Sequence, residues 1–348
     1  MWQKRNLEWL SQNAVITFRY QSGSSKINER GQYKLGVNSH VPVLLEQFLE
    51  MGFPANGEVF VDGTYGFGGH SQALLERFPS IKVCIAFDQD TEVIKLTEGV
   101  SKNQRIKLFH SRASLMGEVL SDLKISGIDG FLLDLGVSSH QLDTPGRGFS
   151  FRLSGPLDMR MDPANSLTAA DIVNTWSEDR LVGIFFSFGE ERFSKRIARE
   201  IVAQRKIKAF ETTEELALLV TKSIPSRFKR VSIHPATKVF QALRIAVNNE
   251  LDELSIALKE GLSYLKPNGR ISVISFHSLE DRIVKNFFSA ASKGCVCPPK
   301  FPICVCHRKP EIEVLTRKPI SPDIREISRN PRSRSAKLRV GKRLPNDF

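Results

Sequence analysis

The sequence predicts an α/β protein built on a doubly wound, mostly parallel sheet that carries a mostly helical insertion. Short apolar strands alternate with helical patterns in the first third of the chain, as in folds with helices on both faces of a parallel sheet. A glycine-rich turn at residues 63–69 directly follows the first of these strands. The alternation stops near Gln141 and resumes near Val239, which indicates an insertion within one domain.

The elements before the insertion follow from hydrophobic periodicity. We expect regular structure to begin near His40, with a helix whose apolar residues include Val43 and Phe48. Each strand is a short apolar run, and the first two are followed by helical stretches. The expected elements are strand 58–62 with helix 71–77, strand 83–87 with helix 92–97, and strands 106–109 and 130–134. The unbroken apolar character of 130–134 is typical of a strand buried on both faces.

The region after Gln141 first shows loops rich in Gly, Pro and Asp, then helical patterns at 179–188, 194–204 and 213–222. A long helix at 239–265, a stop at Pro267-Asn-Gly269 and a strand at 270–274 follow. The basic C-terminal segment is expected to add edge strands. We therefore divide the chain into an N-terminal extension (1–38), a first part of the α/β domain (39–140), a helical insertion (141–236) and a second part (237–348).

Composition narrows the possible functions. The 348 residues are 41% hydrophobic and 25% charged, as in soluble globular proteins, and no apolar run approaches the roughly 20 residues of a membrane span. The formal net charge is +12, which favours a polyanionic partner. From Arg308 to Phe348, twelve Lys or Arg face five Asp or Glu, a net of +7. A solvated basic tail is the alternative.

Cysteine usage and the N-terminus bear on the compartment. Five cysteines in a chain of this length do not form a disulfide scaffold, so a reducing cytoplasm is expected. Residues 1–38 are polar, basic and poor in acids, which fits a loose extension or an organellar transit segment. Four cysteines form two C-x-C pairs that either bind zinc or lie reduced in a Pro-rich loop. They are Cys295, Cys297, Cys304 and Cys306.

The turn Asp62-Gly-Thr-Tyr-Gly-Phe-Gly-Gly-His70 predicts a cofactor loop. Its spacing differs from the G-x-G-x-x-G of dinucleotide sites, and an acid closes the preceding strand, which suits a nucleoside better than a pyrophosphate. Asp88 ends the second strand 22 residues after Gly66, close to the interval typical of a ribose-binding acid, with Asp90 as a competitor. Asp134 ends the fourth strand, so three strand ends meet in one crevice.

The same residues belong to long motifs that resemble the bacterial ribosomal RNA small subunit methyltransferase H family. The resemblance runs from about His40 to Arg339 and includes the motifs at 40–45, 62–70, 133–139, 147–151, 155–162, 189–192, 234–237 and 275–282. It implies a Rossmann-like S-adenosylmethionine-dependent methyltransferase fold and N4 methylation of a cytidine in the decoding region of 16S ribosomal RNA. It also implies S-adenosylmethionine as cofactor and small-subunit RNA or the assembled small subunit as partner. The lengths of the apolar runs predict no membrane partner, and the sequence does not give the oligomeric state.

The resemblance implies a set of site residues. The cofactor-binding residues are Gly68, Gly69, His70, Asp88, Ala113, Asp134 and Gln141. Ala113 stands where the family often has an aromatic residue near the adenine. A cytosine amino group is conjugated with its ring, so an acceptor for its hydrogens would help to localise the nitrogen lone pair. Asp134 is the first candidate for this catalytic role and His277 the second.

Several residues keep two interpretations. Glu280 and Asp281 either line the crevice or carry helix N-terminal charge, and His277 is either catalytic or structural. Asp158, Arg160 and Asp162 either contact substrate or form an internal salt-bridge network. A cationic cluster in the insertion either faces RNA or is solvated; it comprises Lys195, Arg196, Arg199, Arg205, Lys206 and Lys208. A ribosome assembly factor with dispensable methylation and, more weakly, a dehydrogenase are the alternative functions.

Overall fold

The computed structural model describes residues 42–98, 103–228, 234–294, 297, 306 and 309–345. The predicted extension at 1–38 lies outside these residues, and so do Cys295 and Cys304, so the zinc hypothesis stays a prediction. No metal was predicted at any other position.

The described chain alternates strands and helices up to β4, continues with helices alone, and returns to strands at its end. The elements are α1 Leu45–Met51, β1 Val59–Asp62, α2 Gly69–Arg77, β2 Val83–Asp88, α3 Thr91–Glu98, β3 Ile106–His110, α4 Met116–Asp122, β4 Ile128–Asp134, α5 Ser139–Asp143, α6 Ala169–Thr175, α7 Glu178–Ser187, α8 Ser194–Arg205, α9 Thr213–Ser223, α10 Thr237–Asn248, α11 Glu250–Tyr264, β5 Leu265–Ser275, α12 Ser278–Ala291, β6 Ile312–Val314, α13 Ile324–Arg329 and β7 Lys337–Arg343.

The seven strands form one sheet in the order β3-β2-β1-β4-β5-β7-β6. The first five are parallel, while β7 runs antiparallel to both β5 and β6. The predicted α/β class and the C-terminal edge strands are therefore confirmed. The strand order reverses between β1 and β4, which is the position at which open α/β sheets bind their ligands.

Strand periodicity places the core on both faces of the sheet. Val61 and Phe131 face a cluster that includes residues of α4, α11 and α12, whereas their neighbours Phe60 and Leu132 face a second cluster with residues of α1 and α2. Successive side chains of a strand point to opposite faces, so both faces of these strands must be apolar. That requirement explains the unbroken apolar runs in the sequence.

The segment between β4 and β5 has its own apolar cluster. It gathers buried side chains from α6 to α9, among them Ile172, Phe185, Ile197 and Leu216. The cluster continues into α10 through residues such as Phe240. The helices of the predicted insertion thus pack on one another and on the first helix after residue 236.

Two details differ from the sequence-based prediction. The prediction of one long helix at 239–265 is wrong, because two helices, α10 and α11, meet at Asn249. Asn249 adopts φ +54°, and this left-handed conformation ends α10. The stop expected at Pro267-Asn-Gly269 instead lies within β5, with Asn268 at φ +66° and a register shift opposite Ile128 and Gly130. Apart from these two details, helices α4, α5, α6 and α13 were not predicted.

Candidate functional site

The glycine loop between β1 and α2 is attached to both neighbouring strands. The backbone N–H of Gly63 donates to Leu132 O (2.8 Å), and that of Tyr65 donates to Phe87 O (2.9 Å). Gly68 adopts φ +76°, and a Cβ at this position would lie 2.4 Å from Oη of Tyr65. Only glycine meets both conditions, so the loop brings bare backbone to the carboxyl edge of the sheet.

Two other predicted cofactor residues lie beside this loop. A Cβ on Gly63 would lie 2.8 Å from Cβ of Ala113, which places Ala113 against the loop. A Cβ on Gly69 would lie 2.5 Å from Cγ of Pro42, so α2 begins in close contact with the segment before α1. These contacts leave room for glycine alone at 63 and 69.

His70 is held in a defined orientation on α2. Its Nε2 lies 3.0 Å from the carbonyl oxygen of Val43, so Nε2 carries the proton and donates to that oxygen in the neutral ring. The ring also meets Phe48 edge to face. Its Nδ1 lies 3.5 Å from Oδ2 of Asp134, which directs the remaining ring nitrogen towards the end of β4.

Asp88 accepts two backbone hydrogen bonds at the end of β2. Gly66 N donates to Oδ2 and Asp90 N donates to Oδ1, both at 2.8 Å. Burial raises the pKa of Asp88 to about 6, although these two bonds oppose the shift. The carboxyl group is therefore fixed in position while each oxygen keeps a further lone pair for a ligand hydroxyl.

Asp62 lies beneath the loop and is 1% exposed. It accepts hydrogen bonds from the Ser71 hydroxyl (2.5 Å) and from Thr64 N (3.1 Å). Burial raises its pKa to about 6, and the bond from Ser71 opposes this shift. Asp62 thus joins the start of α2 to the loop and adds negative charge below it when ionised.

Asp134 is the third carboxyl group at this edge of the sheet. Burial, followed by the nearby charges of Asp62 and Glu280, raises its pKa well above the ordinary value. Its backbone N donates to Thr64 Oγ1 (2.6 Å). Its Oδ1 is buried and has no hydrogen-bond partner among the described residues, whereas buried carboxylate oxygens are normally paired.

Asp62, Asp88 and Asp134 form what we term the carboxylate crevice. No Lys or Arg of the described chain makes a salt bridge with any of them. Charge burial without a cation raises carboxyl pKa values, and a positively charged ligand would reverse that effect. The crevice is therefore suited to a cationic molecule with hydroxyl groups.

A second group, which we term the Arg147 network, lies next to the crevice and comprises Asp90, Glu92, Gln141 and Arg147. Arg147 Nη1 donates to Asp90 Oδ2 (2.8 Å) and to Glu92 Oε2 (2.7 Å). Its Nη2 donates to the carbonyl oxygens of residues 160 and 161. Asp90 is fully buried and Arg147 is 7% exposed. The network joins the end of β2 to the loop before α6.

The Arg147 network distinguishes Asp90 from Asp88 by charge pairing. Asp90 also accepts from Gln141 Nε2 (2.7 Å) and Glu92 N (3.0 Å), and its carboxylate is paired with a cation, unlike that of Asp88. Gln141 caps α5 together with Ser138, and this predicted cofactor residue is 5% exposed. Sequence reasoning missed Arg147, although the residue stands in the Arg147-Gly-Phe-Ser-Phe151 motif.

His277 and Glu280 follow β5 and cap α12. Backbone N of Glu280 donates to Nδ1 of His277 (3.4 Å), and the backbone N of residues 276 and 277 donates to Glu280 Oε2. His277 Nε2 lies 3.1 Å from Glu280 Oε1 but lacks hydrogen-bond geometry to it. Glu250 comes within ligand distance of both, but Arg244 already binds Glu250 through two hydrogen bonds of 2.8 Å.

Several of the other ambiguous residues have internal partners. Asp158 binds Arg160 through two side-chain bonds of 2.8 and 2.7 Å, and Asp281 binds Lys337 and Arg339 of β7. Within the cationic cluster, Arg205 donates to a backbone carbonyl and Lys208 pairs with Glu215. Lys195, Arg196 and Arg199 are exposed on α8.

Residues 37–344 of the sequence match the family model that is described as the MraW methylase family. The chain belongs to the MraW methylase family. A relative from Caldicellulosiruptor saccharolyticus is 49% identical over 306 residues, covering 88% of this chain and 99% of that protein. One from Syntrophotalea carbinolica is 49% identical over 310 residues, with the same coverage. Both relatives are named Ribosomal RNA small subunit methyltransferase H. The MraW methylase assignment makes the protein a methyltransferase.

Solved structures give more distant similarities. A structure described as an rRNA methylase from Streptococcus thermophilus is 8% identical, with a TM-score of 0.36, and covers 86% of this chain and 94% of its own. Such a similarity adds nothing to the assignment to the MraW methylase family. Among the described helices, none combines the length and apolar composition needed to cross a membrane.

Proposed function

We propose that the protein uses S-adenosylmethionine to methylate N4 of a cytidine in the decoding region of 16S ribosomal RNA, in the cytoplasm. The observation that supports this most directly is the buried, unpartnered Oδ1 of Asp134 at the sheet edge beside the glycine loop. The names of the curated relatives support small-subunit RNA as the substrate.

The crevice residues fit the proposed cofactor by charge and shape. Gly68 and Gly69 allow close approach of the methionine portion, and Asp88 offers its oxygens to the ribose hydroxyls. Ala113 lies beside the loop, where it would border the adenine. The positive sulfonium and ammonium groups of S-adenosylmethionine suit a crevice whose three carboxyl groups lack Lys and Arg partners.

The residues of the crevice provide the proton chemistry that N4 methylation needs. S-adenosylmethionine, when bound, supplies an electrophilic methyl group and leaves as the neutral sulfide. Asp134 Oδ1 accepts a hydrogen bond from the cytidine amino group and then its proton, which balances the charge of the reaction. A raised pKa favours this proton uptake. The other oxygen of this carboxyl group, Oδ2, faces Nδ1 of His70 at 3.5 Å.

We also propose that residues 141–236 act as the part that recognises RNA, between the methyltransferase segments 39–140 and 237–348. The separate apolar cluster of α6 to α9 supports a distinct substrate-binding layer. Gln141 would act from the Arg147 network by holding the loop next to Asp88. His277 stays a predicted catalytic residue, with its Nδ1 committed to the start of α12.

The test incubates purified protein with labelled S-adenosylmethionine and either naked small-subunit RNA or small subunits from a strain that lacks the enzyme. Mass spectrometry of nucleosides then identifies the product, and N4-methylcytidine is expected. Asp134→Asn should reduce kcat at least about 100-fold, because it removes the proton acceptor. Asp143→Asn, which changes an exposed acid paired with Arg332, is the matched control and should keep wild-type kcat.

Methyl transfer to another atom or to no RNA would overturn the proposal. Cofactor binding without transfer to either substrate would instead favour an assembly factor. Full activity of Asp134→Asn would leave the reaction intact but refute the role of Asp134.

A further inference from the structure

Two arginines and two phenylalanines form an exposed group that we term the stacked-arginine patch, comprising Arg192, Phe193, Arg227 and Phe228. Cζ of Arg192 lies 4.5 Å from the ring centre of Phe228, and Cζ of Arg227 lies 4.9 Å from the same centre. Arg192 also lies 5.1 Å from the ring centre of Phe193, and the two rings are 5.3 Å apart. The patch is thus a compact alternation of cations and aromatic rings.

Neither guanidinium group has an acidic partner in the part of the chain that the structure describes. Both arginines are exposed, and neither forms a salt bridge or side-chain hydrogen bond with another described residue. A guanidinium that stacks through its face keeps its in-plane N–H donors available. Since both Cζ atoms lie near one ring, they are within about 10 Å of each other. This arrangement concentrates positive charge that an anion would stabilise.

The patch is connected to the edge of the sheet where the crevice lies. Arg192 follows Glu190, whose carboxylate accepts from Ser278 Oγ (2.7 Å) and Arg282 Nη2 (2.9 Å) at the start of α12. Lys238 Nζ donates to the carbonyl oxygen of Glu190 (2.6 Å). The start of α12 directly follows the carboxyl end of β5, so these bonds attach the chain to that edge two residues before Arg192.

We propose that the stacked-arginine patch binds the backbone of a single-stranded RNA segment that flanks the target nucleotide, through phosphate contacts from both arginines. The exposed ring of Phe228, 37% accessible, adds a surface on which a base stacks. Single-stranded RNA combines the anionic groups and the exposed aromatic faces that this patch complements. The proposal rests on the proposed function for the identity of the nucleic acid.

A single stacked arginine elsewhere in the same region provides a matched control. Arg180 lies 3.7 Å from the ring centre of Trp176 and is exposed. It is preceded in sequence by two acids, Glu178 and Asp179, at the start of α7. Arg180 is therefore also an exposed arginine over an aromatic ring, but without the doubled charge.

The experiment measures binding of a fluorescein-labelled single-stranded RNA of about 20 nucleotides, from the decoding region, by anisotropy. Salt is varied between about 50 and 200 mM. The double variant Arg192→Gln/Arg227→Gln should bind about tenfold more weakly, because two phosphate contacts are lost. Its salt dependence should fall by roughly 1.4 units of slope, about 0.7 for each contact to a single strand. Phe228→Leu should weaken binding about threefold with an unchanged slope, because it removes stacking but no charge. Arg180→Gln should bind like the wild type.

An unchanged affinity and slope in the double variant would overturn the proposal, as would an equal loss in Arg180→Gln. Competition by polyglutamate as effective as by unlabelled RNA would also overturn it, because the patch would then serve an acidic protein. S-adenosylmethionine affinity, measured in parallel, should stay at the wild-type value and shows that the variants are folded. Because this assay measures binding alone, its outcome is separate from that of the methyl-transfer test.

Discussion

The aspartates of the carboxylate crevice and the aspartate of the Arg147 network lie in opposite electrostatic surroundings. Asp88 and Asp90 are two residues apart at the end of β2. Asp90 is fully buried and paired with Arg147 at 2.8 Å, whereas Asp88 receives only backbone N–H donors at its carboxylate and has a pKa raised to about 6. The difference separates an acid that is paired within the structure from an acid that we propose as a ligand-binding residue.

The comparison teaches that charge pairing distinguishes structural from functional acids better than burial does. Asp62 is as deeply buried as Asp90, yet it lacks a cationic partner, and burial raises its pKa to about 6. Uncompensated charge of this kind is found at functional sites because a ligand completes it. Three experiments test this distinction.

The largest effect on stability is expected from Arg147→Met. Removing one partner of a buried ion pair leaves the other charge uncompensated, so the free energy of unfolding should fall by about 3 kcal/mol, as measured by urea denaturation. Adding Asp90→Asn to this variant should recover part of the loss, because the unpaired charge is then absent.

The control for this experiment is Arg112→Met, which breaks a pair with Glu253 of similar length, 2.7 Å against 2.8 Å for Arg147 and Asp90, at partly exposed side chains. Partly exposed pairs contribute about 1 kcal/mol or less. Equal losses in Arg112→Met and Arg147→Met would show that the Arg147 network has no special structural role.

Much of the fold could be predicted because buried parallel strands need apolar residues on both faces. The apolar runs that end in Asp62, Asp88 and Asp134 meet this condition. Because these strands are parallel, their order along the chain predicts that the three acids lie at one edge of the sheet. The break at Asn249 could not be predicted from periodicity, since the apolar pattern continues from α10 into α11. An Asn-Asn pair is a weak signal for a left-handed residue.

The site was only partly predictable for a different reason. The glycine loop and Asp88 are local features, with strand, turn and acid within about 30 residues. Arg147 contacts Asp90 from 57 positions away, and its flanking glycines suggest an exposed loop rather than a buried cation. Long-range pairing of this kind requires the insertion to fold back on β2. A single sequence contains no local pattern that predicts such a contact.

The second test concerns the pH dependence of cofactor binding. Carboxyl groups with a pKa of about 6, such as Asp62 and Asp88, are largely protonated at pH 5 and ionised at pH 7. A cationic ligand favours the ionised forms, so its binding releases protons and its affinity rises with pH. We expect S-adenosylmethionine to bind about tenfold more tightly at pH 7 than at pH 5, as measured by titration calorimetry.

S-adenosylhomocysteine is the matched control ligand because it lacks the sulfonium charge. Its affinity should change less over the same pH range, so the ratio of the two affinities should rise with pH. In the ligand-free protein, the raised pKa values of Asp62 and Asp88 should lower stability as pH rises from about 4 to about 6, since unfolding then releases protons. A constant ratio would contradict the view that the crevice recognises positive charge.

The smallest effect is expected for exposed cations, when paired and unpaired positive charges are compared in the same way as the acids. On α8, Lys195 and Arg199 are exposed and have no salt bridge with a described residue, whereas Lys208 pairs with Glu215 at 2.6 Å. Lys195→Gln/Arg199→Gln should raise the KM for the RNA substrate about threefold at low salt and leave kcat unchanged. The double variant should change the free energy of unfolding by no more than about 0.5 kcal/mol.

Lys208→Gln is the control, and its KM should stay at the wild-type value because its charge already has a partner. An equal rise in KM for both variants would mean that any positive charge in this region assists RNA binding through the general field. No rise in either would mean that this face of α8 is only solvated. In both cases charge pairing would distinguish roles among buried acids but not among exposed cations, since water and salt screen exposed charges whether or not they are paired.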